Sequence, residues 1–166
     1  LRTVDPFEKE GFPWRKPDLQ FSSEQPSVTW IGHSTLLVRF HEKTLLTDPI
    51  FSTRASPFSI IGPKRVVPPA LSLHELPPID FVVISHSHSD HLDLKTIKKL
   101  VIKSKKTVFF VPLGLKDLLE EAGARKVFEL DWWDEVHLGD IKVIATPAHH
   151  WSARSLLDRN KRLWAS

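Results

Sequence analysis

The sequence predicts a layered α/β fold of the α+β kind, and three observations carry that prediction. Short β-branched and apolar runs separated by polar turns open the patterned part of the chain. Two segments with helical spacing follow, and short strands return before the end. The 166 residues are enough for one domain with a real core, and 41% hydrophobic with 26% charged residues is an ordinary globular balance.

Residues 1–27, "LRTVDPFEKEGFPWRKPDLQFSSEQPS", mix charge, proline and aromatics without periodicity, and are expected to form an extended arm over the surface. "VTWI", "STLLVRF" and "KTLLTD" read as strands, with "GH" and "HEK" supplying the turns. Residues 49–78 hold Pro57, Pro63, Pro68, Pro69, Pro77 and Pro78 without a regular pattern. An irregular segment of that length either borders a functional site or is a proline-stiffened surface excursion.

"DFVVIS" is a near-continuous apolar run, expected as a fully buried strand. In "DLKTIKKLVIK", Leu94, Ile97, Leu100 and Val101 share one helical face and lysines the other. The lysine run from Lys95 to Lys106 is read as a solvated face rather than a patch for anionic lipid or nucleic acid. "TVFFV" is a strand, and "GLKDLLEEAG" a helix that Gly123 ends. "KVFEL", "EVHLGD" and "IKVIATP" form a β-rich tail with a hairpin turn at Gly139 and Asp140. "NKRLWAS" reads as a turn and the start of a strand.

Composition narrows the chemistry. With no cysteine there is neither a disulfide nor a thiolate site, so any metal must be held by nitrogen and oxygen. No run approaches the ~18 apolar residues of a membrane span, and no basic-then-apolar signal pattern opens the chain. A net charge of +3 is weak evidence for a nucleic-acid partner, and none is expected. Methionine is absent even at position 1, so the chain is expected to be a processed or cut piece.

The densest chemical signal is "HSHSDH" at 86–91, directly after the buried run. A strand end followed by a tight turn can fold His86, His88, Asp90 and His91 around one point, and imidazole and carboxylate are the donors zinc takes without thiolate. A catalytic zinc typically keeps three protein ligands, so another must come from elsewhere. "IKVIATPAHHW" repeats the strand-then-turn construction and offers His149 or His150. His41, His74 and His137 stand singly and are expected to be exposed, whereas His33 in "IGHST" is left open between a turn residue and a neighbour of the site. Six tryptophans without tyrosine fit an interfacial surface. Trp30 and Trp164 are expected in the core, with Trp132, Trp133 and Trp151 undecided.

H-x-H-x-D-H after an apolar strand resembles the signature of the metallo-β-lactamase-fold hydrolases. More specifically, "WIGHSTLLV", "LLTDPIFSTRASP", "GPKRV", "ELPPIDFVVISHSHSDHLD", "FVPLGL", "ELDWWDE" and "HWSARSLLDRNKRLWAS" resemble the N-acylphosphatidylethanolamine-hydrolysing phospholipase D family, over residues 28 to the end. The resemblance implies an αββα sandwich of two similar halves, with residues 28–166 covering the first. It also implies two zinc ions, the first held by His86 and His88, the second by Asp90 and His91. The family's next histidine precedes a tryptophan, which selects His150 for the first zinc, and Asp48 in "LTDP" matches an acidic residue that supports the site from behind. Asp90 would also orient the attacking oxygen. Ser89 departs from the bulkier residue that close relatives carry.

The family's bridging aspartate and final histidine have no counterpart here. The first zinc site is therefore expected to be the better occupied, the second weak, and the chain by itself inactive. An exposed sheet face would favour self-association. For the complete protein the implied activity is hydrolysis of a lipid phosphodiester, releasing N-acylethanolamines; such a substrate allows peripheral membrane contact, and the compartment is left open, with the cytoplasm or a membrane surface favoured. The alternatives are a lactone hydrolase or nuclease of the same fold, a di-iron redox module, and a non-catalytic metal-binding fragment.

Overall fold

A computed structural model describes residues 16–19, 25–58 and 60–166. Most of the expected arm lies outside these residues. Of its described part, Leu19 packs on the main core and Lys16 pairs with Glu75.

Six strands form one sheet in chain order: β1 (Ser27–Gly32), β2 (Thr35–Phe40), β3 (Lys43–Thr47), β4 (Phe81–Val83), β5 (Val108–Pro112) and β6 (Val127–Leu130). The first two pairings are antiparallel and the last three parallel. The change follows from the connections. His41 (φ 43°) and Glu42 (φ 58°) make the two-residue β2–β3 turn with both residues left-handed, the geometry that matches strand twist. The parallel neighbours need long crossovers. Residues 48–80 supply the first, α1 (Leu94–Lys103) the second and α2 (Lys116–Glu121) the third.

Helix α1 buries Ile97 and Leu100, half-buries Leu94 and Val101, and leaves Lys95, Lys98 and Lys99 in solvent, as its spacing predicts. Its N-cap is Asp93, whose carboxylate accepts the Lys95 and Thr96 N–H groups at 3.1 and 3.2 Å. The same carboxylate accepts the Ser52 N–H at 2.9 Å, so the cap also ties down the proline-rich segment. At the other end Lys103 donates to the carbonyls of Leu73, His74 and Leu76.

Helix α2 is shorter than expected, because Glu129 of β6 places one carboxylate oxygen 2.7, 2.9 and 3.0 Å from the N–H groups of Gly114, Leu115 and Lys116. That carboxylate takes the place of a local cap and sets the start of the helix. Gly123, at φ 98°, ends it as the sequence indicates.

Both helices cover one face of the sheet around Leu37, Leu46, Val82 and Phe109. On the other face a hairpin of β7 (Glu135–Leu138) and β8 (Ile141–Ile144) packs over Phe81, Phe110 and Leu130. Over β1 and β2 that face is open. Val28 opposes Val38 and Trp30 opposes Leu36 in the register, so these side chains share it.

Two expectations are corrected here. Trp30 is not in the core but 57% exposed, because β1 is an edge strand and Trp30 lies outside the cluster that the β7–β8 hairpin covers. The final residues form no strand: Leu163, Ala165 and Ser166 donate to Leu113, Ser85 and Thr146, three separate segments rather than one ladder partner. Trp164 is half-buried, with its indole N–H on the Ala148 carbonyl.

Candidate metal centre

The turn after β4 is held from several sides. The N–H groups of His91 and Leu92 both donate to the His88 carbonyl, at 3.0 and 2.8 Å, which curls residues 88–92 into a single tight loop. Arg154 donates to the carbonyls of Ser87 (2.8 Å) and Leu92 (2.9 Å), clamping both ends of the loop from a distant part of the chain. Asp93 closes it onto α1.

Within this frame three imidazoles converge. His86 Nε2 lies 2.8 Å from His88 Nδ1 and 3.0 Å from His150 Nε2. His150 comes from the turn after β8, so two strand ends meet at one point. His149, its neighbour, is exposed and outside the group.

Hydrogen-bond chemistry decides which His86 nitrogen is bare. Asp48, buried, accepts the Ser85 N–H and Ser85 Oγ–H, both at 2.7 Å. The hydroxyl proton being committed to the carboxylate, Ser85 Oγ must accept from His86 Nδ1, 2.8 Å away. That leaves the His86 Nε2 lone pair facing the other two rings. Asp48 also takes the His91 Nδ1–H at 2.8 Å, which makes Nε2 the lone-pair nitrogen of the neutral ring. A carboxylate behind an imidazole is the arrangement that fixes tautomer and basicity in metal sites. Asp48 thus backs one histidine directly and one through a hydroxyl.

The electrostatics agree at His86, whereas at His91 they favour the protonated ring, whose Nε2 proton a cation must displace. Burial, reinforced by the His91, His88 and His150 rings, pushes His86 down to about 3, so it is neutral at pH 7. His88 is lowered too, chiefly by burial. Burial acts against a charged His91, but the hydrogen bond and charge of Asp48 outweigh it and raise its pKa. Burial likewise opposes ionisation of Asp90, and the neighbouring His91, a backbone N–H and His33 more than compensate.

Beside the first group lies a second, formed by His33, Asp90 and His91. His33 Nε2 is 3.0 Å and His91 Nε2 3.7 Å from Asp90 Oδ2. His33 sits in the β1–β2 turn at φ 52°, its carbonyl held by the Trp30 indole N–H at 2.8 Å. This is the residue that sequence reasoning left open; its one signal was a histidine in a two-residue turn beside a glycine. His41, His74 and His137 are all exposed.

The donor set fits a cation. Ligand atoms within each group lie within 4.8 Å of one another, and Asp48 and Ser85, by engaging Nδ1 of His86 and His91, leave the Nε2 atoms of both rings for the groups. His88 Nε2 is buried with no hydrogen-bond partner, its ring edge-on to Trp151 at 4.2 Å. That leaves Nδ1, the atom facing His86, as the useful one.

A cleft of about 910 Å³ opens beside both groups, reached by His88, Ser89 and Asp90. Its walls include Trp30, Phe58, Val66, Trp151 and Leu156, so the irregular segment 49–78 borders the site. Trp132, Trp133 and Trp151 are exposed rather than core.

Residues 43–166 match the family model described as "Beta-lactamase superfamily domain". An uncharacterised protein of Mycobacterium tuberculosis is 43% identical over 142 residues, 84% of this chain and 38% of that protein. N-acyl-phosphatidylethanolamine-hydrolyzing phospholipase D 1 of Caenorhabditis elegans is 39% identical over 147 residues, 83% of this chain and 41% of its own length. The chain therefore spans about two-fifths of the length of these curated relatives. Among solved structures, CmlA, a diiron β-hydroxylase from Streptomyces venezuelae, superposes with a TM-score of 0.52 at 24% identity, covering 74% of this chain and 24% of that one. The mixed sheet, the histidine turn and the matched family model lead to one statement: the chain belongs to the β-lactamase superfamily domain family and has the metallo-β-lactamase fold.

Proposed function

We propose that the complete protein hydrolyses a phosphodiester in a lipid headgroup, as an N-acylphosphatidylethanolamine phospholipase of the D type, using zinc. The convergence of His86 Nε2, His88 Nδ1 and His150 Nε2 at 2.8 and 3.0 Å carries the reading. These atoms would hold the first cation, with Asp90 and His91 contributing to the second. A divalent cation there supplies Lewis acidity, lowering the pKa of water towards about 7 and offsetting charge on phosphoryl oxygens.

The chain's own residues do the rest. Asp48 and Ser85 keep His86 and His91 in the tautomers that donate a lone pair. Asp90, at the cleft, orients the attacking water through its carboxylate. Trp30, Phe58, Trp151 and Leu156 give the cleft the apolar walls that acyl chains require. The name of the Caenorhabditis elegans relative supports the substrate class. Nitrogen and oxygen donors without thiolate support zinc, and the second histidine of the turn, His88, favours it over iron. The open β1–β2 sheet face, with Val28 65% and Trp30 57% exposed, is the surface through which the chain by itself self-associates.

The test uses the full-length protein, purified without added metal. Elemental analysis should find zinc, and stoichiometric iron would overturn the metal assignment. On a panel of N-acylphosphatidylethanolamine, a lactone and single-stranded RNA, turnover should appear with the phospholipid. Cleavage of RNA or lactone alone would replace the lipid reading with a nuclease or lactonase.

A further inference from the structure

Phe58, Ile60, Ile61, Leu156 and Leu157 are 64, 79, 65, 101 and 85% exposed. Single exposed apolar side chains are ordinary, but these five crowd the ends of two loops. Phe58 and Leu156 line the same cleft, so both loops stand at its rim.

The first loop is a built projection. Residues 54 and 64 bridge its base as an antiparallel pair. The Ala55 N–H reaches the Pro63 carbonyl at 3.0 Å, the Arg65 N–H the Thr53 carbonyl at 2.7 Å, and Arg54 Nη1 the Gly62 carbonyl at 2.6 Å. Gly62 has φ 105°, and a Cβ there would lie 2.6 Å from Ser56 Cβ, so close approach of the two arms depends on it. The tip is thus pinned from behind with its isoleucines outward. On the second loop Asp158 accepts the Arg154 and Ser155 N–H groups at 2.9 and 2.7 Å, holding Leu156 and Leu157 out.

Charge points the same way. Residues 49–74 contain no acidic residue and three cations, of which Arg54 and Arg65 bond backbone carbonyls and Lys64 is exposed. Arg159 and Lys161, both exposed, follow the leucines in sequence, with the Arg159 guanidinium 4.9 Å over the Trp151 ring. Apolar tips flanked in sequence by basic side chains suit a bilayer, with hydrocarbon for the tips and anionic headgroups for the cations.

The geometry points to a lipid-surface docking site: the loop that carries Phe58, Ile60 and Ile61 and the Ser155–Leu157 loop insert their apolar tips into an anionic bilayer and set the mouth of the cleft against it. This rests on the lipid reading above but assigns the contact to the two loops. It leaves the exposed tryptophans at 132 and 133 outside it.

The experiment uses full-length protein and co-sedimentation with vesicles of phosphatidylcholine, or of equal parts phosphatidylcholine and phosphatidylglycerol. Ile60→Ser/Ile61→Ser and Leu157→Ser alter side chains that do not line the cleft. Wild type should bind the anionic vesicles more tightly. The isoleucine pair should lower that binding about tenfold or more, and Leu157→Ser about threefold, with zinc content and circular dichroism unchanged. Trp133→Ser should leave binding as in wild type. Hydrolysis of bis(p-nitrophenyl) phosphate, which needs no bilayer, reads the phosphodiesterase separately. Its absence beside intact vesicle binding would sink the functional reading and leave the docking site standing. Wild-type vesicle binding by both loop variants, or none by the wild type, overturns the docking site; cover of the tips by other parts of a longer chain would give this result. A dimer that the loop variants dissolve overturns it too, as a protein interface.

Discussion

Replacing Asp48 by asparagine changes one atom and should disturb both candidate cation groups. The carboxylate receives three hydrogen bonds at 2.7, 2.7 and 2.8 Å, from Ser85 N–H, Ser85 Oγ–H and His91 Nδ1–H. An amide cannot accept all three. With its NH2 at the Oδ2 position, Ser85 Oγ must accept from it and donate to His86, moving the imidazole proton to Nε2. His91 is forced into the same wrong tautomer. With the amide reversed, its NH2 meets the Ser85 N–H at 2.7 Å, and an unpaired donor costs about 1–3 kcal/mol. Losing an orienting partner behind a metal-binding histidine weakens binding about 10–100-fold, or about 1.4–2.7 kcal/mol. Competition of zinc against a chromophoric chelator, with denaturant midpoints of the metal-free protein, measures both terms. Ser85→Ala should weaken only the His86 group. Asp48→Asn with unchanged zinc affinity and an unchanged midpoint would show that the carboxylate does not govern the tautomers.

Other substitutions follow from the same geometry. His88→Ala should lower zinc affinity by at least about 100-fold because one of three converging donors is gone, whereas His149→Ala should change it less than about twofold in the same titration. His33→Ala should spare the first cation and weaken the second, which a cobalt(II) titration reads as loss of one spectroscopic step. Asp93→Ala removes the α1 cap and the anchor of Ser52, and should cost about 2–4 kcal/mol by denaturant titration, with Asp93→Asn milder. In the metal-free protein His86 is neutral when folded, at about 3, while unfolded histidine titrates near 6.5. The unfolded state therefore binds the extra proton between those values, and this contribution to stability falls as pH drops below about 6.5. His86→Gln should flatten that part of a midpoint-against-pH curve; an unflattened curve would assign the slope to other groups.

Much of this was legible because it is local. β1 to β3 alternate inward and outward over a few residues, α1 shows its face in four apolar positions, and "HSHSDH" carries its donors within one turn. Long-range partners were not legible. Asp48 meets Ser85 across 37 residues, and His33 meets Asp90 across 57, so nothing in local spacing marks either contact. The choice between His149 and His150 was open to residue reasoning for the same reason, since it depends on how β8 approaches β4. Trp30 misled because residue type speaks for burial, while exposure there depends on β1 lying at a sheet edge. α2 was overextended because its cap, Glu129, belongs to the strand after it.

Arg154 sits four residues past His150 and grips the loop that carries His86 and His88. If the stretch around it frays, the third imidazole leaves and the first two lose their clamp in the same event. Cation capture and release should then be all-or-none, with amide hydrogen exchange slowing together in residues 86–92 and 150–162 when zinc binds.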